Sequence, residues 1–435
     1  MVYRFNPVAE KAAQRTEQKS TRLRAAKPLA GMGMTPLLPP EGRPGLEEKA
    51  FDLIREAGAF AAQVHPEIAR EVAALVRSMN CYYSNLIEGH NTHPRDIDRA
   101  LSSEFALKPE QRNLQLEAAA HIHVQEALDG GLDPKAAPVS REYLFWLHRQ
   151  FYEHLPEEFL WVENPETKRR KKMMPGAPRD GEVQVGQHLP PLAAELGDYL
   201  EVFEQGYDPA KLTKLRAVAA LGAAHHRFAW IHPFYDGNGR VARLMSHAML
   251  LRIGLGSGLW SVARGLARSV GEYKRSLARA DQERMHDADG RGVLSERALV
   301  EFCEYFLATA VDQVRFMTGL LDIGGMLQRM EAWCDAEAKA KRIEAGSFPV
   351  LRELWLMGGL ERAKVPVVAN VKERQARQIV SRLTAAGVLQ SETSRSPLRL
   401  KIPLGVVEAW FPGIYPPFSR IPETGAPASI VLGMM

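Results

Sequence analysis

The chain has few cysteines, no long apolar run and no large imbalance of charge, and each absence excludes a class of protein. Its 435 residues include three cysteines, Cys81, Cys303 and Cys334, an odd and widely spaced set that fits neither a disulfide framework nor a zinc knuckle. No segment approaches the roughly 20 apolar residues that span a bilayer, so no membrane contact is expected. A net charge of +4 is too small to indicate a nucleic-acid binder by itself.

The N-terminal region mixes both signs of charge and lacks the apolar core of a signal peptide, so we expect a cytoplasmic protein. Frequent proline and glycine predict an irregular N-terminal arm over residues 1–45. The apolar fraction of 46% is enough to fill the cores of two or three domains.

From about residue 46 to 330, apolar residues recur at helical spacing and predict a mainly α fold. From Ile68 to Ile87 they follow the i, i+3, i+4 pattern, and Gly89 is a suitable residue to end that helix. Further helices are expected at 112–128, 140–153, 190–204, 211–229, 240–252 and 297–321. Residues 162–189 interrupt the pattern and predict a loop or short hairpin, with 183–185 as its strand-like piece.

After about residue 345 the pattern changes to helices at 348–360 and 372–386 followed by strands at 388–390 and 398–402. This order predicts a small winged-helix domain over 345–403, followed by a C-terminal tail over 404–435. Residues 361–401 hold nine Lys or Arg against three Glu. Arg374, Arg377 and Arg382 lie on or near the second helix, so contact with DNA, docking of a protein partner and a plain solvated face all stay open.

A compact group of polar residues surrounds the glycines of Gly237-Asn238-Gly239, just before a predicted helix. Two glycines allow close backbone approach, and N–H groups at a helix N-terminus bind anions. Arg240 and Arg243 are three apart and share a helix face, so they can grip two phosphates. Asp236 can hold Mg²⁺ and His232 can accept a proton. Each feature alone has an ordinary structural interpretation, but their conjunction predicts a nucleotide-phosphate site.

Residues 232–243 resemble the Fic motif HPFx[D/E]GNGRxxR without a departure, and the resemblance extends over about residues 80–320. It implies a Fic helical bundle over 46–330 and a protein adenylyltransferase, which moves AMP from ATP to a Ser, Thr or Tyr hydroxyl of a protein target, the chain itself included. In that reading His232 is the general base, Asp236 binds Mg²⁺, Gly237, Asn238 and Gly239 form the anion hole, Arg240 holds the β-phosphate, Arg243 holds the γ-phosphate, and Phe234 is a core anchor.

The segment 175–191 resembles the family's β-hairpin flap, which would hold a target strand by main-chain pairing. The residues expected to serve this target-binding flap are Arg179, Val183, Gln184, Val185 and Gly186. The neighbouring basic run 168–172 either steers ATP or an acidic target towards the flap or is a solvated loop.

Ser84 and Glu88 are four residues apart, so they share one face at the C-terminal end of a helix predicted at about 67–88. A carboxylate is poorly placed there for the helix dipole, so a cationic partner would stabilise it. Residues 84–89 match the family's inhibitory motif [S/T]xxxE[G/N]. The resemblance implies that Glu88 pairs with Arg243 and blocks the seat of the γ-phosphate. A surface glutamate is the ordinary alternative.

Other functions remain open beside a restrained transferase. The chain could be a winged-helix regulator or docking protein that uses the Fic domain as a nucleotide sensor, or Glu88 could orient a water that removes AMP from a modified target. A homodimer is a candidate assembly. The histidines His121, His123, His225 and His226 form no metal-ligand set with a cysteine or carboxylate and are interpreted as packing residues.

Overall fold

The computed structural model describes residues 32–60, 64–164 and 167–433, so residues 1–31 of the predicted arm lie outside the described part. The fold is mainly α. The helices that build and surround the site are α1 (Pro44–Phe60), α2 (Pro66–Glu88), α3 (Pro94–Leu101), α4 (Pro109–Asp129), α5 (Arg141–Tyr152), α6 (Leu196–Tyr207), α7 (Lys214–Ile231), α8 (Asn238–Arg252), α9 (Ala263–Arg268), α10 (Val270–Ala280) and α11 (Glu296–Leu321).

Two buried helices hold the centre of the bundle. The helix α7 packs against α8, and α11 packs against α1 and α7. From Ala217 to Phe228 every side chain of α7 is buried, because small residues allow its neighbours to approach closely. The helix α2 packs against α4 and α9, and its last nine residues before Glu88 are buried. No helix in the described ranges has the length and apolarity needed to cross a bilayer.

The short hairpin expected within residues 162–189 is present, but its strands lie upstream of the strand-like piece predicted at 183–185. Strands β1 (Trp161–Glu163) and β2 (Arg170–Lys172) pair antiparallel, with Trp161 opposite Lys172. The predicted strand piece at 183–185 contributes only one isolated bridge, from Val185 to His188. Gly186 has a φ of +62° between those two residues, which produces a tight turn and not a strand. The small sheet is consistent with a hairpin near the flap.

The basic run 168–172 lies on the β1–β2 hairpin, and its lysines face carboxylates. Lys171 lies 2.6 Å from Asp180, and Lys172 lies 2.6 Å from Glu157. Lys168 also lies 3.4 Å from Glu163, so three of the positive charges are already paired on the surface.

The C-terminal part contains α12 (Ile323–Lys339), α13 (Ser347–Met357), α14 (Val365–Val368), α15 (Glu373–Ala385), β3 (Leu389–Gln390), β4 (Arg399–Leu400), α16 (Leu404–Trp410) and α17 (Ala428–Gly433). Strands β3 and β4 are antiparallel, with Leu389 opposite Leu400. Helices followed by a hairpin are the element order expected of a winged helix, and the assignment to that class stays a prediction. Arg374 and Arg377 are exposed on α15.

Both predicted irregular ends are docked where the structure describes them. In the N-terminal arm, Met34 is buried and the Pro36 carbonyl accepts a hydrogen bond from Arg227 at 3.0 Å. In the C-terminal tail, the Ile414 carbonyl accepts one from the Tyr83 hydroxyl of α2 at 3.0 Å. Lack of regular structure therefore does not mean lack of packing in these segments.

Candidate active site

A tight loop joins α7 to α8, and its shape depends on three residues. His232 ends α7 in the left-handed conformation, with φ 51° and ψ 60°. Gly237 also has a positive φ, 79°, and a methyl group there would overlap the ring of Tyr152. The Asn238 side chain closes the loop, because it accepts from the Phe234 N–H at 3.0 Å and donates to the Phe234 carbonyl at 2.8 Å. Asn238 is therefore a brace within the loop.

The loop leaves a helix N-terminus facing the site. The first bond of α8 runs from Val241 N–H to the Gly237 carbonyl, at 2.9 Å. The preceding N–H groups, those of residues 238–240, have no acceptor within the helix, and the helix dipole makes that end positive. An anion is the natural ligand of such a site. The Gly237 N–H is not part of it, since it donates to Asp236 Oδ1 at 2.7 Å.

His232 is held as a neutral imidazole. Its Nδ1 lies 3.2 Å from the Ala229 carbonyl oxygen, which can only accept, so Nδ1 carries the proton and Nε2 keeps a lone pair. Burial lowers the pKa of His232 to about 3, so the ring is uncharged near pH 7. The residue lines a cleft of about 820 Å³. This is the state that a general base requires.

Arg179 fixes the backbone of His232 from the flap segment. Its Nε donates to the His232 carbonyl at 2.9 Å, and its backbone N–H donates to the Pro233 carbonyl at 2.8 Å. The remaining guanidinium nitrogens donate to the carbonyls of Gly181 and Pro191. Arg179 is 2% exposed, and these hydrogen bonds lie inside the protein. Its expected role in binding a target stays a prediction.

Asp236 is a carboxylate of the loop itself, in a position that suits a cation. Its Oδ2 accepts a hydrogen bond from the Tyr152 hydroxyl at 3.0 Å. Within the described ranges no group of three or more His, Cys, Asp or Glu side chains could hold a metal. Mg²⁺ commonly binds one or two carboxylates together with phosphate and water oxygens, so a single aspartate beside a phosphate site fits that ion.

Arg243 is engaged by the end of α2. Its Nη2 lies 2.5 Å from Glu88 Oε1, and its Nε donates to Ser84 Oγ at 2.9 Å. Burial alone would raise the pKa of Glu88, but the charges of Arg243 and Arg240 outweigh it and hold that pKa at about 2. The Glu88 carboxylate also lies where a methyl group on Gly239 would be. The Glu88 carboxylate therefore points away from the negative C-terminal end of its own helix, α2, and lies against the positive N-terminal end of α8, where the helix dipole stabilises it.

Arg240 has a carboxylate partner of its own, which the sequence did not indicate. Its Nη2 lies 3.0 Å from Glu117 Oε2, on α4, and 3.0 Å from His90 Nδ1. Its guanidinium carbon lies 4.9 Å from the centre of the Phe151 ring. Both arginines of the motif are thus buried and paired with a glutamate.

Comparison with known proteins agrees with this geometry. The model of the Fic/DOC family matches residues 138–250, which include the loop and both arginines. Residues 138–250 therefore resemble a Fic domain. A protein adenylyltransferase Fic from Drosophila erecta is 37% identical over 76 residues, covering 18% of this chain and 15% of that protein. One from Nematostella vectensis is 27% identical over 176 residues, covering 40% of this chain and 37% of that protein.

The matches thus span well under half the length of these curated relatives. A solved structure of a Fic family protein from Desulfovibrio desulfuricans G20 resembles most of the chain. It has a TM-score of 0.50 and 16% identity, and the likeness covers 84% of this chain and 98% of that one. At this identity the likeness concerns the fold alone.

The structure brings half of the expected site residues to the lining of one cleft. Its lining includes Glu88, His232, Asn238, Gly239 and Arg243. Ser84 lies behind Arg243, and Asp236 lies at the start of the loop. Phe234 is fully buried, stacked on His148 at 4.0 Å between ring centres, as expected of a core anchor.

The flap residues divide between the cleft and the interior. Val185 and Gly186 line the cleft, and Gln184 donates from its side chain to the Gly186 carbonyl at 2.8 Å. Val183 is buried. His188 ties the flap to the end of α7, because its Nε2 donates to the Trp230 carbonyl at 2.7 Å. Target pairing by these residues stays a prediction.

The opposite wall of the cleft was not visible in the sequence. The helix α10 contributes Tyr273 and Leu277, and Glu272, Arg275 and Arg279 stand beside them. No motif marks this helix. The sequence does indicate that α10 is amphipathic, but hydrophobic periodicity does not say that its apolar face lies opposite α8 across the cleft.

The histidine interpretation is partly right. His225 is buried, with its two ring nitrogens 2.9 Å from Ser246 Oγ and 2.7 Å from the Tyr273 hydroxyl. His226 and His121 are also buried. His123 is exposed, so its interpretation as a packing residue is wrong. It lies on α4 between two buried neighbours, Ile122 and Val124, and helical geometry turns it outward.

Proposed function

We propose that the chain is a protein adenylyltransferase, which transfers AMP from ATP to the hydroxyl of a Ser, Thr or Tyr in a protein target. The observation that carries the proposal is the pairing of a neutral His232 with the N-terminus of α8 in one cleft. A proton acceptor and an anion site side by side are what attack of a hydroxyl on a phosphate requires.

The reaction follows from these positions. His232 Nε2 takes the proton of the target hydroxyl, and the oxygen forms a bond to the α-phosphorus of ATP. The bond from that phosphorus to the α,β-bridging oxygen breaks, and pyrophosphate leaves with the electron pair. The N–H groups at the start of α8 and the two arginines stabilise the negative charge on the phosphates. Mg²⁺, held by Asp236, would supply further neutralisation of the phosphate charge.

The resting enzyme is restrained by Glu88. ATP needs Arg243 and the space beside Gly239 for its terminal phosphate, and the Glu88 carboxylate takes both. Two anions cannot share one cation in a buried site without a large electrostatic cost. Nucleotide in the productive position therefore requires that Glu88 move away.

A second activity has one observation in its favour. Glu88 lines the same cleft as His232, so its carboxylate could orient a water for removal of AMP from a modified target. A protein that only senses nucleotide is the third candidate, but a sensor has no need of the base.

The test uses ATP labelled at the α-phosphate and the released variant Glu88→Gly. We expect label on this protein or on a protein of the lysate, and none after His232→Ala in the same background. ATP labelled at the γ-phosphate is the matched control and must leave no label. Nucleotide binding without α-label would favour the sensor. Loss of label from an AMP-modified target with the unaltered protein, but not with Glu88→Gly, would favour the reverse activity.

The C-terminal region is proposed as a docking element. Exposed arginines on α15 suit an acidic protein surface or DNA. A mobility-shift assay over a salt series separates the two, because phosphate contacts weaken steeply as salt rises.

A further inference from the structure

Glu117 is a buried carboxylate that no part of the proposed chemistry uses. It lies on α4, 7% exposed, and its Oε2 is 3.0 Å from Arg240 Nη2 and 2.6 Å from His90 Nδ1. Burial alone would raise the pKa of Glu117, but the charge of Arg240 and the hydrogen bond from His90 bring it below its usual value. The group is therefore an ionised carboxylate in the protein interior, next to the motif.

The guanidinium of Arg240 is fixed by two contacts, and some of its N–H donors are not used by them. The Phe151 ring covers its guanidinium, and Nη2 donates to Glu117 Oε2, which also accepts from His90 Nδ1. Its Nε is buried and has no hydrogen-bond acceptor among the described residues. A guanidinium presents five N–H donors in a rigid plane. When Nη2 is bound and the plane is packed against a ring, the directions of the remaining N–H groups are fixed as well. An unpaired buried donor indicates a ligand that supplies an acceptor.

We propose that Glu117 is a positioning residue for Arg240, which it anchors through Nη2 so that Nε and the remaining donors meet the phosphates beyond the α-phosphate. The inference rests on the proposed function, because it assumes that ATP binds beside Arg240. The helix α4 would thus contribute to phosphate binding indirectly, through Glu117. His90, two residues after Glu88, joins this anchor to the inhibitory segment.

A competing role for Glu117 makes the opposite prediction. If Glu117 withheld Arg240 from the nucleotide, its removal would leave a buried, uncompensated cation and would tighten ATP binding. If it positions Arg240, its removal lets the side chain settle elsewhere and weakens ATP binding. A purely structural glutamate would change the binding of all nucleotides alike.

The experiment measures ATP and AMP affinity by calorimetry in the Glu88→Gly protein. AMP has only the α-phosphate, so a contact to the later phosphates affects ATP alone. We expect Glu117→Ala to weaken ATP binding about 10-fold and AMP binding less than about twofold, as for one charge-assisted hydrogen bond. Glu117→Gln keeps an acceptor for Nη2 and should restore most of the ATP affinity.

Glu126→Ala is the matched control, because Glu126 lies on the same helix with a side chain 63% exposed and should leave both affinities unchanged. Equal losses for ATP and AMP, or unchanged or tighter ATP binding, would overturn the inference. If the Glu88→Gly parent binds ATP but transfers no label, the proposed function fails while the affinity comparison still decides the role of Glu117. A parent that binds no ATP overturns both.

Discussion

Arg179 donates a hydrogen bond from Nε to the carbonyl oxygen of His232, at 2.9 Å. His232 stands in the left-handed region, which is unfavourable for a residue with a side chain, so the surrounding contacts must hold it there. Arg179 supplies the main one from outside the loop. A hydrogen bond thus links the segment 175–191 to His232, the proposed general base.

The first prediction concerns this connection. Arg179→Lys keeps the charge but loses the planar fork that reaches three carbonyls. We expect transfer by the Glu88→Gly protein to fall about 100-fold, since a base displaced by about 1 Å loses that much. ATP affinity should change less than about twofold. Arg329→Lys is the control, because Arg329 also donates to a backbone carbonyl, that of Trp410, away from the cleft. Equal loss in both variants would refute a specific role.

The second prediction is a double-mutant cycle between Gly239 and Glu88. A methyl group on Gly239 would overlap the Glu88 carboxylate, so Gly239→Ala should lower the free energy of unfolding by about 1–3 kcal/mol. In the Glu88→Gly protein the obstacle is gone, and alanine is the better helix former by about 1 kcal/mol. Urea unfolding of the four proteins gives the coupling energy. Additive effects would mean that the carboxylate does not rest on Gly239 in solution.

Much of the site could be predicted because its residues are close in sequence. The loop and both arginines fall within residues 232–243, and helical spacing alone places Arg240 and Arg243 on one face. Glu88 was found through a second motif. Glu117 and Tyr152 were not, because each lies on another helix and only the tertiary packing brings it to the loop.

The fold, too, was predicted in part from the sequence and in part was not. Long amphipathic helices were placed well, as α11 at Glu296–Leu321 shows beside the predicted 297–321. The helix predicted at 190–204 begins instead at Leu196, because Pro190 and Pro191 hold the chain extended before it. The strand expected at 183–185 became a turn at Gly186. Of the alternating residues 183–185, only Val183 is buried, so the alternation does not mark a strand with one buried face.

The third prediction concerns acid. Burial lowers the pKa of His121, His148, His225 and His232 to about 3 in the folded protein, from about 6.5. Between pH 6.5 and 3 the unfolded chain binds more protons at these sites, so stability falls as pH decreases through that window. Each group contributes a slope on the order of 1 kcal/mol per pH unit. Urea unfolding at pH 7 and pH 5 measures it.

His121 allows this slope to be tested on one group. It faces Arg243, Arg240 and His247, and neither ring nitrogen has a hydrogen-bond partner among the described residues. His121→Leu should be more stable than the parent at pH 5 by on the order of 1–2 kcal/mol, with a smaller gain at pH 8, where the parent ring is neutral in both states. A pH slope identical to that of the parent would show that His121 is not buried as a neutral ring.

The last prediction concerns the cation. Tyr152 donates its hydroxyl proton to Asp236 Oδ2, while the Gly237 N–H holds Oδ1, so the carboxylate has a fixed orientation. Tyr152→Phe keeps the ring against Gly237 and removes only this bond. Loss of such an orienting bond weakens metal binding about 10-fold or more. We therefore expect the Mg²⁺ concentration for half-maximal transfer by the Glu88→Gly protein to rise about 10-fold, with the rate at saturating Mg²⁺ nearly restored. A rate that stays low at every Mg²⁺ concentration would instead show that the hydroxyl acts on the loop and not through Asp236. Phe145→Leu, which alters a ring beside Phe234 without touching Asp236, is the control for general loosening of α5.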